Sequence, residues 1–171
     1  MSNKVVFRPR KSAGWLWLAG IGLLIIGLSA LMLLVVPPGE EGYVAVLVTS
    51  ILTAALGLPF LVLAAWYPTM RYELDGEALT LRYGPVLTYR IPLDQIETIR
   101  RRNLSLSLWS SLRFPGIALF GVAYSDVGTV KMCATAALNG ILLVETAKEK
   151  YGLTPADEEA FVAALQARIG P

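Results

Sequence analysis

Five arginines hold most of the chemistry that this sequence can offer. Arg82 and Arg90 alternate with apolar neighbours, and Arg100, Arg101 and Arg102 are consecutive. A guanidinium is always charged and presents a planar fork that matches phosphate or carboxylate, so arginines gathered on one face point to an anionic ligand. In extended strands, alternation turns Arg82 and Arg90 away from a core. With Ile99 turned inward, Arg100 and Arg102 share the outward side and Arg101 points the other way. Four arginines on adjacent strands would meet anionic headgroups at about 1 kcal/mol each when near the surface. The same four residues also fit a plain solvated face balanced by Glu73 and neighbouring acids.

Other reactive groups are few. The chain has no histidine and one cysteine, so no Cys/His pair can hold zinc and no internal disulfide can form. Cys133 lies between Met132 and Ala134 on a predicted strand and reads as a small core residue rather than a nucleophile. Asp75 and Glu77 flank Gly76 and fit turn positions better than a catalytic carboxylate pair. Gly116, Gly121 and Gly128 are too widely spaced for a phosphate-binding loop and suit bulges or turns. No catalytic set, metal site or cofactor motif emerges, and the chain does not read as an enzyme.

Two long apolar blocks, Gly14–Val36 and Tyr43–Tyr67, contain no ionisable side chain other than Tyr. Each is long enough to cross a hydrocarbon core of about 30 Å as a helix. The break between them, Pro37 to Gly42, has room for little more than a turn, so residues 13–67 read as a transmembrane hairpin. A cleaved signal peptide followed by one anchor would need a shorter first block. Two buried helices of a soluble domain are rarely so long without a charge. With no intramembrane Asp, Glu, Lys or Arg, the pair reads as an anchor rather than a pump or proton relay.

Charge orients the hairpin. Residues 1–12 form a basic arm with Lys4, Arg8, Arg10 and Lys11, whereas the turn carries Glu40 and Glu41. The positive-inside rule then places both termini in the cytoplasm. Trp15, Trp17, Trp66 and Tyr67 fall at the cytoplasmic interface and Tyr43 at the outer one. Small residues recur as Ala13, Gly20 and Gly27 in the first helix and as Ala45, Thr49, Thr53 and Gly57 in the second. Such stripes allow close packing in lipid, within one chain or between copies. Pro59 is expected to bend the second helix.

The remaining 68–171 segment is a domain of modest size. Beyond the arm and the turn, basic and acidic residues are equal in number, so the net charge of +2 gives no support to broad nucleic-acid binding. Period-two alternation predicts an antiparallel meander, with one face buried and one wet, near 70–74, 79–83, 87–91 and 97–102. Three further strands near 117–124, 128–135 and 141–146, separated at Ser125-Asp126 and Asn139-Gly140, bring the number to seven. Asn103–Phe114 reads as a loop or short amphipathic helix whose Leu104, Leu106, Leu108 and Trp109 could dip into a bilayer. A helix closes the chain, with Thr154 as N-cap, Pro155 in its first turn, Phe161, Leu165 and Ile169 as its apolar stripe, and Gly170 ending it.

Seven antiparallel strands closed by a C-terminal helix resemble the bacterial pleckstrin-homology-like (PH-like) membrane proteins. The resemblance runs from Arg71 to Ile169. It rests on Ile91-Pro-Leu-Asp-Gln-Ile96, on Gly116, Gly121 and Gly128, and on Ala134-Thr135. It also rests on Val144-Glu-Thr146 and on Tyr151-Gly-Leu-Thr-Pro155 through Phe161. It implies a PH-like β-barrel or sandwich, a setting at the bacterial cytoplasmic membrane and a scaffolding role, with no catalytic residues and no cofactor. The first hairpin loop departs from the phosphoinositide-binding pattern, because Leu74-Asp-Gly-Glu-Ala78 is acidic. Two functions follow as expectations. One is a tethered module that binds a protein partner or self-assembles. The other is recognition of anionic lipid or a small ligand by Arg82, Arg90, Arg100 and Arg102.

Overall fold

A computed structural model of the chain describes residues 4–105 and 113–169. Leu106, Leu108, Trp109 and Gly170, named above for membrane dipping or helix termination, lie outside the described residues. The chain divides into two compact units: Trp15–Trp66, and the rest, in which the residues up to Gly14 join those from Tyr67 onward.

The first unit is a helical hairpin, α1 (Gly14–Val35, beginning at the unit boundary) and α2 (Tyr43–Trp66), and both helices are long and apolar enough to cross a membrane. Their large side chains are turned outward; Leu34 is 81% exposed and Val44 72%. The close approach between them uses Gly57 of the expected second-helix stripe but not the first-helix stripe. It joins Gly57 to Gly22, where a Cβ on either residue would lie 3.0 Å from the carbonyl oxygen of the other. Gly20 and Gly27 face open space instead. In lipid, close approach depends on where the backbones touch, and heptad spacing alone did not identify that point.

The second unit holds two sheets and a helix. β1 (Val5–Phe7), β2 (Arg71–Leu74), β3 (Ala78–Tyr83) and β4 (Leu87–Pro92) pair in that order. The other strands are β5 (Ile96–Arg102), β6 (Arg113–Phe114), β7 (Ile117–Tyr124), β8 (Gly128–Ala134), β9 (Ile141–Thr146) and β10 (Lys150–Leu153). They form a sheet in the order β5-β9-β10-β8-β7-β6. The barrel is therefore not closed, since β4 and β5 belong to different sheets.

Three strands go beyond the seven expected: β1, β6 and β10. β10 inserts between β9 and β8 and runs parallel to β8, with Gly152 beside Met132. Its Gly has no side chain there because a Cβ would collide with Met132 Sδ. A four-residue strand containing glycine shows no alternation long enough to read. Its hairpin with β9 is set by Thr146, whose Oγ1 accepts the N–H of Glu149 at 3.0 Å.

The second sheet is buried on both faces through its central strands. Leu119, Cys133, Leu142, Val144 and Leu153 are buried on the side facing the first sheet, where Cys133 Sγ lies 3.9 Å from the Arg82 carbonyl oxygen. On the opposite side Val122, Val130, Met132, Ile141 and Leu143 form a second cluster. Leu104 joins this cluster at 4% exposure rather than reaching for lipid, held by its N–H to Leu138 O at 2.7 Å.

The closing helix α3 (Glu158–Ile169) starts later than expected. Asp157 caps it, accepting the Ala160 N–H at 2.9 Å. Thr154 cannot cap because it is fully buried and already bonded. Its Oγ1 accepts the Thr135 N–H at 2.8 Å and meets Thr135 Oγ1 at 2.9 Å, and its N–H donates to Tyr72 Oη at 3.1 Å. Tyr72 Oη in turn donates to Cys133 O at 2.8 Å. Phe161 and Leu165 of the expected stripe are fully buried, and the Phe161 ring packs edge-on against Phe7 and Tyr72.

Tyr72→Phe removes one buried hydroxyl and leaves the Thr154 N–H and the Cys133 carbonyl without that partner. Denaturant unfolding of the detergent-solubilised protein should show a loss of about 2 kcal/mol, the cost of orphaned buried polar groups.

Candidate functional site

The first sheet turns a charged outer face to solvent. Register places Arg71, Glu73, Thr80, Arg82, Thr88 and Arg90 on it together. Glu73 lies at its centre, 6% exposed, with Lys4 Nζ at 2.8 Å, Arg71 Nε at 2.6 Å and Arg82 Nε at 3.4 Å. Burial opposes its ionisation, but hydrogen bonds from Arg71 and Lys4 and the charge of Arg82 outweigh that and hold its carboxyl below the usual carboxylate range. Arg90 reaches Glu77 at 3.4 Å. Arg82 and Arg90 thus share a face with each other and with acids that engage them.

Arg100 and Arg102 lie elsewhere. They stand on β5, an edge strand of the second sheet, both exposed, on the side of Leu143 and Ile141. The four arginines expected on adjacent strands are therefore divided between two sheets. Arg101 points the other way, as alternation requires, with Nε 3.8 Å from Glu158. Beyond the β4 edge, Lys131 pairs with Glu149, and its ammonium lies 5.6 Å from the Tyr89 ring centre and 5.8 Å from that of Tyr151. The Lys131 and Tyr151 hydrogen bonds keep the Glu149 carboxyl below its usual range.

Two carboxyl and thiol candidates resolve into structural roles. Asp75 Oδ1 accepts the N–H groups of Glu77 at 2.8 Å and Ala78 at 2.7 Å, which fixes the β2–β3 turn and keeps its carboxyl below the usual range. Burial pushes the Cys133 thiol up to about 12, far from a reactive thiolate.

The basic arm is built into the domain: residues 4–14 belong to the same compact unit as those from Tyr67 onward. β1 pairs antiparallel with β2, Val5 opposite Leu74 and Phe7 opposite Tyr72. Beyond it, Arg10 N donates to Thr154 O at 2.8 Å and Ala156 N to Arg8 O at 2.9 Å. Ser12 Oγ meets Tyr67 Oη at 2.5 Å and also donates to Gly116 O. Gly14 packs so tightly on Gly116 that neither position has room for a Cβ. The two points where the chain passes into and out of the helical hairpin are thus bonded to each other. Tyr67, expected as an interfacial aromatic, spends its hydroxyl in this joint, while Trp15 and Trp17 are about half exposed. The period-two signal of Val5-Val6-Phe7 was too short to show beside four basic residues.

Two packed sheets closed by a C-terminal helix define a PH-like domain. Residues 70–169 match the family model for the bacterial PH domain, and the chain belongs to that family. β1 lies outside the matched region. No curated protein and no solved structure gives a significant match to the chain.

The Glu73 cluster has a testable pH signature. A carboxyl whose folded pKa is depressed lends stability that is complete above its unfolded value of about 4.3 and disappears as pH falls through the lower folded value. Glu73→Gln should therefore cost about 1 kcal/mol at neutral pH, with partly exposed cations limiting the loss. Its unfolding midpoint should then fall less steeply than the parent's between neutral and strongly acidic pH.

Proposed function

We propose that this protein is a membrane-tethered interaction module, with α1 and α2 crossing the bacterial cytoplasmic membrane as a hairpin and the PH-like domain held at its inner face. The domain binds a protein partner or a second copy of the chain. The observation that carries this reading is the pairing of β1 with β2. A strand before α1 and a strand after α2 in one sheet support a chain that returns to the side from which it left. The apolar sides of α1 and α2 are exposed over most of their length, as lipid contact demands and water does not tolerate. The positive-inside rule supplies the direction. The open faces of Gly20 and Gly27 favour packing between copies in the bilayer.

A second reading, recognition of anionic lipid by arginines, is favoured by the exposure of Arg100 and Arg102 on an edge strand. Arg82 and Arg90 support it less, because Glu73 and Glu77 engage them.

Topology and assembly are separately testable in a bacterial host. A cysteine at Gly39 should react with a membrane-impermeant maleimide in intact cells, with buried Cys133 giving little background. Tags at both termini should resist external protease. Labelling at Gly39 only after lysis would overturn the orientation. In-cell crosslinking should yield a defined adduct with a partner or a second copy; a strictly monomeric protein in mild detergent that captures nothing would sink the interaction reading.

A further inference from the structure

Arg10 and Arg101 come together where no acid balances both. Arg10 Nη2 donates to the Gly140 carbonyl, and a Cβ built on Gly140 would lie 3.2 Å from Arg10 Nη2 and 3.3 Å from Arg101 Nη2. The two guanidinium groups are thus close enough for the oxygens of a single phosphate to bridge. Like charges held this near repel each other unless an anion joins them. Among the described residues the one carboxylate in ion-pair range is Glu158, 3.8 Å from Arg101 Nε, and Arg10, whose Nη2 is held by the Gly140 carbonyl, pairs with no carboxylate. Gly140 takes φ +61°, a backbone conformation suited to glycine, and a side chain there would push into both guanidiniums. Exposed Lys11 adds a further charge next in sequence to Arg10.

Beside this pair lies a cleft of about 420 Å³, and its lining runs directly into Gly140 through Asn139. Phe114, Pro115, Ala136, Ala137 and Leu138 make it mostly apolar. Gly116, at the same cleft, accepts the Ser12 hydroxyl and abuts Gly14. The cleft therefore belongs to the end of the domain from which the apolar helices depart. A phosphate clamp bordered by an apolar cleft, a few residues from a membrane span, fits an amphiphile better than a soluble anion.

We propose that Arg10 and Arg101, converging over Gly140 beside the cleft of the β6–β7 and β8–β9 loops, bind the phosphate of an anionic phospholipid headgroup. The site lies far in sequence from the acidic Asp75–Glu77 turn and uses neither Arg82 nor Arg90. Its arms come from opposite ends of the chain, Arg10 before α1 and Arg101 at the end of β5. It rests on the membrane-tether reading given above, since only a tethered domain would keep this end at headgroup level.

The test uses the full chain with a benzophenone amino acid in place of Leu138, a cleft residue that is 38% exposed. The protein is placed in nanodiscs of phosphatidylcholine with a minority of phosphatidylglycerol, illuminated, and its lipid adducts identified by mass spectrometry. Phosphatidylglycerol should be captured well above its share. Arg10→Gln with Arg101→Gln should lower that capture about thirty-fold, the worth of two basic side chains near an anionic surface. Arg101→Gln alone, which leaves the arm's own bonds intact, should lower it about five-fold. Arg82→Gln with Arg90→Gln should leave it unchanged.

Capture in proportion to lipid content, or capture indifferent to both Arg10 and Arg101, would overturn the site. Loss on Arg100→Gln with Arg102→Gln but not on the proposed pair would do the same. So would abolition by inorganic phosphate but not by chloride at equal ionic strength, which would mark a soluble-anion site. Flotation with the discs reads the tether separately. A chain that never enters them sinks the tether and the site together, whereas one that enters without enrichment sinks the site alone.

Discussion

The second unit depends on one buried hydroxyl. Tyr72 Oη stands between the two sheets, donating to Cys133 on β8 and accepting from Thr154 just before α3. Thr154 bonds Thr135 at the end of β8 and, through its carbonyl, takes the N–H of Arg10. One side chain therefore connects the first sheet, the second sheet, the approach to the closing helix and the N-terminal arm. Tyr72, Cys133, Thr135 and Thr154 are all buried and their polar groups paired, which is the condition under which a polar network in an apolar core specifies a single arrangement. The Phe7, Tyr72 and Phe161 rings pack around it and exclude water.

Charge follows from this placement. Once β1 is held at the edge of β2, Lys4 falls beside Glu73, and a nearly buried carboxylate gathers three cations. That cluster draws Arg82 inward as a structural partner. The same arm, continuing past Thr154, delivers Arg10 to Gly140, where Arg101 already stands. One segment of the chain thus supplies a neutralising base at one site and an unbalanced one at another. The net charge of the domain conceals this division.

β2, β3, β4 and β5 could be read from sequence by their alternation, and β7, β8 and β9 as apolar runs set off by turn residues. So could the hydrophobic blocks of α1 and α2 and the Phe161–Leu165 stripe of α3. The signal failed in identifiable ways. β10 is brief, contains Gly152 and pairs in parallel with a strand from another hairpin, so no local pattern marks it. β1 is three residues long and stands among basic neighbours, too short to show a period. Thr154-Pro155 has the composition of a helix start, but long-range bonds to Tyr72 and Thr135 had a stronger claim on the threonine. Leu104 looked available for lipid because the second face of a six-stranded sheet cannot be inferred from one strand. For the arginines, sequence gave correct local directions but not the sheet to which each strand belonged. Arg10 escaped notice because its partners are separated from it by most of the chain.

The bond between arm and domain also orders events during synthesis. Residues 4–12 leave the ribosome before the partners they need, from Tyr72 to Ala156, which emerge only after both apolar helices have been made. The arm must remain unpaired while the two helices are made, and it can complete its bonds only after Ala156 has emerged. An exposed β2 edge is open to mispairing during that interval, and the basic residues flanking Val5–Phe7 keep the waiting segment soluble. Docking of β1 is then a late step of folding, and synthesis of both helices has to precede it.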